Sequence, residues 1–120
     1  MRSLLVVAAG GAIGAGARWG VGEVVTGTDG GFPWATFIAN VVGCLLIGLA
    51  THRLTRGSDA WLAVVVGGLG GFTTFSAFAV ETRTLLDSGH GATALVYIGA
   101  SLIVGLGAVE LTRAEDPPQR

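Results

Sequence analysis

"GGLGGFTTFSAF", residues 67–78, packs four glycines, two threonines, one serine and three phenylalanines into twelve positions of a strongly apolar region. Glycine weakens a helix because it gives up the most backbone freedom on folding. Hydroxyls are costly in an apolar setting unless something bonds them. The stretch therefore predicts a helix interrupted in the middle of the membrane, with freed carbonyls satisfied inside the protein or by a bound ion. Carbonyls turned toward a common point make a cation site, as at the unwound helices of transporters. A kink or a close helix crossing accounts for the same glycines, so at this point both readings stand.

Working outward, the whole chain is apolar. Of its 120 residues, 51% are hydrophobic and only 12% charged, where soluble domains carry about 25% charge; mean hydropathy is +0.68. Four stretches, about 3–25, 34–51, 60–86 and 92–112, each approach the roughly 20 residues that cross hydrocarbon as a helix. Polar separators lie between them: "TGTDGGFP" (26–33), "THRLTRGSDA" (51–60) and "LDSGHG" (86–91), with a charged tail at 113–120. Trp34 and Trp61 stand at span starts, where amphipathic rings favour the headgroup level. The expected fold is one all-α membrane domain over residues 1–120 with four transmembrane helices, the third broken.

The stretch after Arg2 runs on through Arg18 to Val25 without a single cleavage-like cluster, so it is expected to be a retained span rather than a signal peptide. Arg2, Arg53, Arg56, Arg113 and Arg120 fall on one side, Arg18 and Arg83 on the other. That bias favours a cytoplasmic N-terminus, and counts this small leave insertion in both orientations open. Cys44 is a lone cysteine with no disulfide framework. His52 and His90 lack metal-ligand companions, Ser76 has no base nearby in sequence, and the glycines of 67–71 lack the lysine of a phosphate loop; no enzyme is expected. Net charge is −1 with no lysine, and no nucleic-acid partner is expected.

A single four-helix bundle fills its own centre with side chains, so any route for a solute would run between copies. Gly10/Gly14, Gly16/Gly20 and Gly67/Gly71 are small-xxx-small pairs that permit close helix approach in lipid. Each serves packing within one subunit or between two. Thr36 and Asn40 share one face of the second span, and Tyr97 and Ser101 one face of the fourth, each four residues apart. Together with Thr73, Thr74 and Ser76 they form an inventory of neutral hydrogen-bond donors. Arg18, Glu81 and Arg83 fall near span ends. Neutral donors suit a small anion. Phe75 and Phe78, three apart, share a face, and an aromatic ring has a positive edge that can meet an anion.

"GGAIGAGARW" (10–19), "TFIANVVGCLLIG" (36–48) and "GGFTTFSAFAVE" (70–81), with Tyr97 and Ser101 in the last span, resemble the signature blocks of the Fluc (CrcB) family of fluoride channels, in order and spacing. The resemblance implies an antiparallel, dual-topology dimer in the cell inner (plasma) membrane, surrounded by lipid. It implies passive export of cytoplasmic fluoride through two pores at the subunit interface. It further implies a structural Na+ at the dimer centre held by the backbone carbonyls of Gly70 and Thr73, and an ion pathway using Asn40, Phe75, Phe78, Ser76, Tyr97 and Ser101, with Thr36 nearby and Arg18 toward the aqueous end. Ala77 and Ala79 stand where the family often has Thr and Ser. That departure is compatible with a heterodimer with a sister subunit as well as a homodimer. A small multidrug-type exporter shares the length and span count but needs a carboxylate in the membrane for proton coupling, and a non-transporting membrane anchor subunit would use the glycines only for packing.

Overall fold

A computed structural model describes residues 1–113, without the Arg113 side chain; the expected polar tail, with Arg120, lies outside the described residues. The elements are α1 (Arg2–Val24), α2 (Trp34–Arg53), α3 (Asp59–Trp61) running directly into a π-helix (Leu62–Leu69) and α4 (Gly70–Phe72), then α5 (Phe75–Asp87) and α6 (Gly91–Arg113). Four membrane-length apolar helical segments result, Arg2–Val24, Trp34–Arg53, Asp59–Asp87 and Gly91–Thr112, and the chain is a multi-pass membrane protein. Leu4, Ile13, Leu95, Ile103 and Leu111 all lie exposed, the outward apolar surface that a lipid solvent requires.

Turn chemistry sets the ends of the third span. Ser58 caps its start, its Oγ accepting from the Trp61 N–H at 3.1 Å, and Gly57 just before it takes a positive φ of 82°. Gly89 closes α5 with the same left-handed backbone, the usual residue just past a helix end.

Between those ends the span is built in two ways. Its first half lies against α1 at backbone distance. A Cβ on Gly14 would overlap the Gly68 carbonyl, one on Gly10 the Ala63 carbonyl, and one on Gly71 the Gly11 carbonyl. This decides the small-xxx-small question by pairs: Gly10/Gly14 and Gly67/Gly71 pack within the subunit, whereas a Cβ on Gly16 or Gly20 would meet nothing within 4 Å.

The second half, α5, packs by side chains. Leu85, Ala94 and Tyr97 form the buried core, with Phe32, Phe37 and Phe78 against it. Tyr97 is fully buried, its ring 5.3 Å from Phe32 edge-on and 5.0 Å from Phe78. Along α2 and α6 small residues again allow contact, Gly48 backing onto the Thr112 side chain and Gly105 onto Cys44.

Candidate ion pathway and cation site

The interruption falls at Thr73–Thr74, not at the glycines. Both threonines are extended, with φ/ψ of −82°/154° and −148°/121°, conformations that β-branched residues accept readily. The glycine run itself stays helical as a π segment and one α turn. Glycine's weakness is overridden there because α1 fits against it; the helix stops where side chains take over its donors.

Those substitutions can be followed bond by bond. In a continuous helix the Thr74 N–H would reach the Gly70 carbonyl and the Ala77 N–H the Thr73 carbonyl. Instead the Thr74 N–H donates to Asn40 Oδ1 at 2.8 Å, and the Ala77 N–H to Thr74 Oγ1 at 3.1 Å. Asn40 Nδ2 donates in turn to the Thr74 carbonyl at 3.0 Å, gripping one residue at two points. The Leu69 carbonyl accepts from both the N–H and the hydroxyl of Thr73, each at 2.9 Å. The Gly71 carbonyl accepts from Arg18 Nε at 3.2 Å. Among the described residues, the carbonyls of Gly70 and Thr73 receive no hydrogen bond. Carbonyl oxygens without donors are what a hard cation takes as ligands, so the chemistry of these two fits a sodium ion.

A cleft of about 420 Å³ opens beside the break, lined by Asn40, Gly70, Thr73, Phe75, Phe78 and Ser101 among others. The two phenylalanine rings are 5.8 Å apart. Phe75 is 80% exposed, so its ring stands on the open side of the cleft, while Phe78 reaches inward to Tyr97. Ser76, exposed, shares a 3.2 Å hydroxyl contact with Thr74. Of the Asn40 amide, one N–H remains beyond its bond to Thr74.

Tyr97 and Thr36 are placed differently from a free donor ladder. The Tyr97 hydroxyl donates to Glu81 Oε2 at 2.7 Å and the Thr36 hydroxyl to Glu81 Oε1 at 2.6 Å. Both hydroxyls are thus engaged by one carboxylate. A second cleft, about 540 Å³, is lined by Arg18, Trp19, Glu23, Thr36 and Glu81.

The family model of the CrcB-like protein, Camphor Resistance (CrcB), matches residues 5–112. The chain belongs to the CrcB family. It is 46% identical over 110 residues to a protein of Thermus thermophilus named Fluoride-specific ion channel FluC, covering 88% of each chain. A Paracoccus denitrificans protein of the same name is 45% identical over 109 residues, covering 89% of this chain and 88% of its own. A Streptomyces avermitilis relative, Fluoride-specific ion channel FluC 2, is 46% identical over 104 residues, covering 81% of this chain and 64% of its own.

The sequence places Glu81 toward a span end and gives it no part in the pathway. A signal for it exists. The polar pairs on α2 and α6 divide alike: Thr36 and Tyr97 meet Glu81, whereas Asn40 and Ser101, one turn along, line the cleft at the break. Glu81 is three residues past Phe78 on α5 and so shares the helix face that meets Tyr97.

Proposed function

We propose that this CrcB-family chain is a subunit of a fluoride-selective channel in the cell's plasma membrane that lets cytoplasmic fluoride leave passively, with no enzymatic step. Two copies, or this chain and a sister subunit, pair antiparallel so that the clefts beside the two breaks close into pores along the seam. The breaks then lie near mid-membrane. The observation that carries the reading is the cleft joining Asn40, Phe75, Phe78 and Ser101 on one side of an interrupted helix, open where a partner would complete it.

The chemistry follows from the ion. Fluoride is small and holds its water tightly, so a pore must offer close replacement donors, the logic by which carbonyls replace water around potassium. The remaining Asn40 N–H, the Ser101 and Ser76 hydroxyls and the edges of Phe75 and Phe78 supply them without a buried cation that would trap the ion. A sodium ion held by Gly70 and Thr73 carbonyls of both subunits would cross-link the two breaks and leave positive charge at the seam.

Efflux from liposomes containing the purified chain, followed with a fluoride electrode, tests the proposal. Rapid fluoride loss with chloride retained is expected. Vesicles that hold fluoride, with the chain alone and with any sister chain, would overturn it. One observation favours a second reading: the Glu81 carboxylate lines the second cleft, as a proton-coupled exporter would need. In the same vesicles such an exporter moves organic cations against a proton gradient and no fluoride.

A further inference from the structure

Arg18 enters the pathway reading only as a charge toward the aqueous end. We infer that it is a positioning residue for the cation site: by holding the Gly71 carbonyl, it fixes the peptide units around the break so that the Gly70 and Thr73 carbonyls stay open. The inference rests on the reading of those two carbonyls as a sodium site.

Three observations carry it. Gly10, Gly14 and Arg18 are spaced four apart on α1, one helical face. The two glycines bring that face against the backbone of the third span, and Gly71 itself backs onto Gly11 and Ala15, so Arg18 emerges at the level of the break. Its Nε donates to the Gly71 carbonyl at 3.2 Å, and the side chain is partly buried. Gly71 is also one of the residues whose helical donor the break removes: the Phe75 N–H that would reach it belongs to the first residue of α5. Arg18 therefore occupies one acceptor of the break while Asn40 and Thr74 divert the donors of its neighbours. Left open are the carbonyls of Gly70 and Thr73, with that of Phe72 between them.

The sign of the charge makes the role separable. A guanidinium near a bound cation repels it, so if charge were Arg18's only effect, neutralising it would tighten sodium binding. If Arg18 acts by orienting carbonyls, neutralising it loosens sodium binding, as loss of groups that orient metal ligands does.

The test is a sodium titration of thermal unfolding of the purified full-length protein in detergent, at constant ionic strength with N-methylglucamine replacing sodium. Wild-type protein is expected to show a saturable rise in midpoint. Arg18→Met should raise the half-saturating sodium concentration by about tenfold or more. Arg18→Lys, which keeps a donor, should recover most of that loss. Should Arg18→Met fail to fold, Arg18→Leu takes its place in the same titration. A half-saturation in the neutral variant that is lower or unchanged overturns the inference; unchanged half-saturation with a lower sodium-free midpoint marks a merely structural arginine. A wild-type protein indifferent to sodium overturns the cation site itself, and this inference with it.

Discussion

The two halves of the third span share a helix axis's worth of chain and almost no physics. Residues 62–72 meet α1 backbone to backbone at their glycines. Residues 75–87 meet α2 and α6 through rings and hydrogen bonds, Phe78 on Tyr97 and Glu81 on Thr36 and Tyr97. The first half is held by fit, which leaves no room for a Cβ at Gly67 or Gly71. The second is held by partners, each of which can be removed singly and measured. The break lies where one regime passes to the other, and this is why open carbonyls and a cleft lined by Asn40, Phe75 and Ser101 adjoin.

The largest effect belongs to the fitted half. Gly14→Leu would drive a side chain into the Gly68 carbonyl and the Phe72 N–H, both backbone, and neither can rotate away. Overpacking already costs about 1–3 kcal/mol where side chains can shift; here no folded, monodisperse protein is expected from size-exclusion in detergent. A normal elution profile would show that α1 and the third span are not seated as described.

Next comes the cleft. Phe75→Ile and Phe78→Ile should each reduce fluoride efflux to the leak of protein-free vesicles while leaving the protein folded. The pair also sharpens the comparison, since Phe78 contacts Tyr97 at 5.0 Å and Phe75 is largely exposed. Thermal stability should fall for Phe78→Ile and hold for Phe75→Ile. Unchanged flux in both variants would remove the aromatic route.

The partnered half predicts intermediate, additive-breaking effects. Glu81→Gln leaves one of two hydroxyl donors facing an amide N–H, and Tyr97→Phe removes a donor from a half-buried acceptor. Each should cost about 1 kcal/mol of stability, the lower end of the range for a polar group left without its partner, because water in the cleft reaches Glu81. Because Thr36, Glu81 and Tyr97 form one network, the double variant should cost less than the sum of the singles. Strict additivity in a thermal or denaturant measurement would mean the three do not act together.

How much of this the sequence carried follows the same division. Span positions were legible because burial in lipid is a composition effect: stretches expected at 34–51 and 92–112 appear as Trp34–Arg53 and Gly91–Thr112. Glycines flagged close packing, and the structure sorts which pairs do it. The stretch 67–78 signals an interruption but not its position: the glycines stay helical at a close crossing and the break falls at Thr73–Thr74. What stops the helix is the Thr74 hydroxyl that caps α5 together with Asn40, 34 residues away; the cap is a local signal, and the amide is not. Glu81 was hidden for the same reason, since its partners Thr36 and Tyr97 lie 45 and 16 residues off. Local signals placed the helices; the polar chemistry of the site is tertiary.

The smallest expected effect is the most useful control on all of this. Gly16 and Gly20 repeat the spacing of Gly10 and Gly14 on the same helix, yet a Cβ at either meets no atom of this chain within 4 Å. Within one subunit Gly16→Ala or Gly20→Ala should therefore change stability by no more than about 0.5 kcal/mol, as for an ordinary surface position, or add slightly through better helix propensity. Any larger loss must come from outside the subunit. If either variant shifts the monomer–dimer balance in lipid or detergent while Gly14→Ala, clashing inside the fold, lowers stability without that shift, then this end of α1 lies at the seam between copies. If both leave the balance untouched, the pair faces lipid.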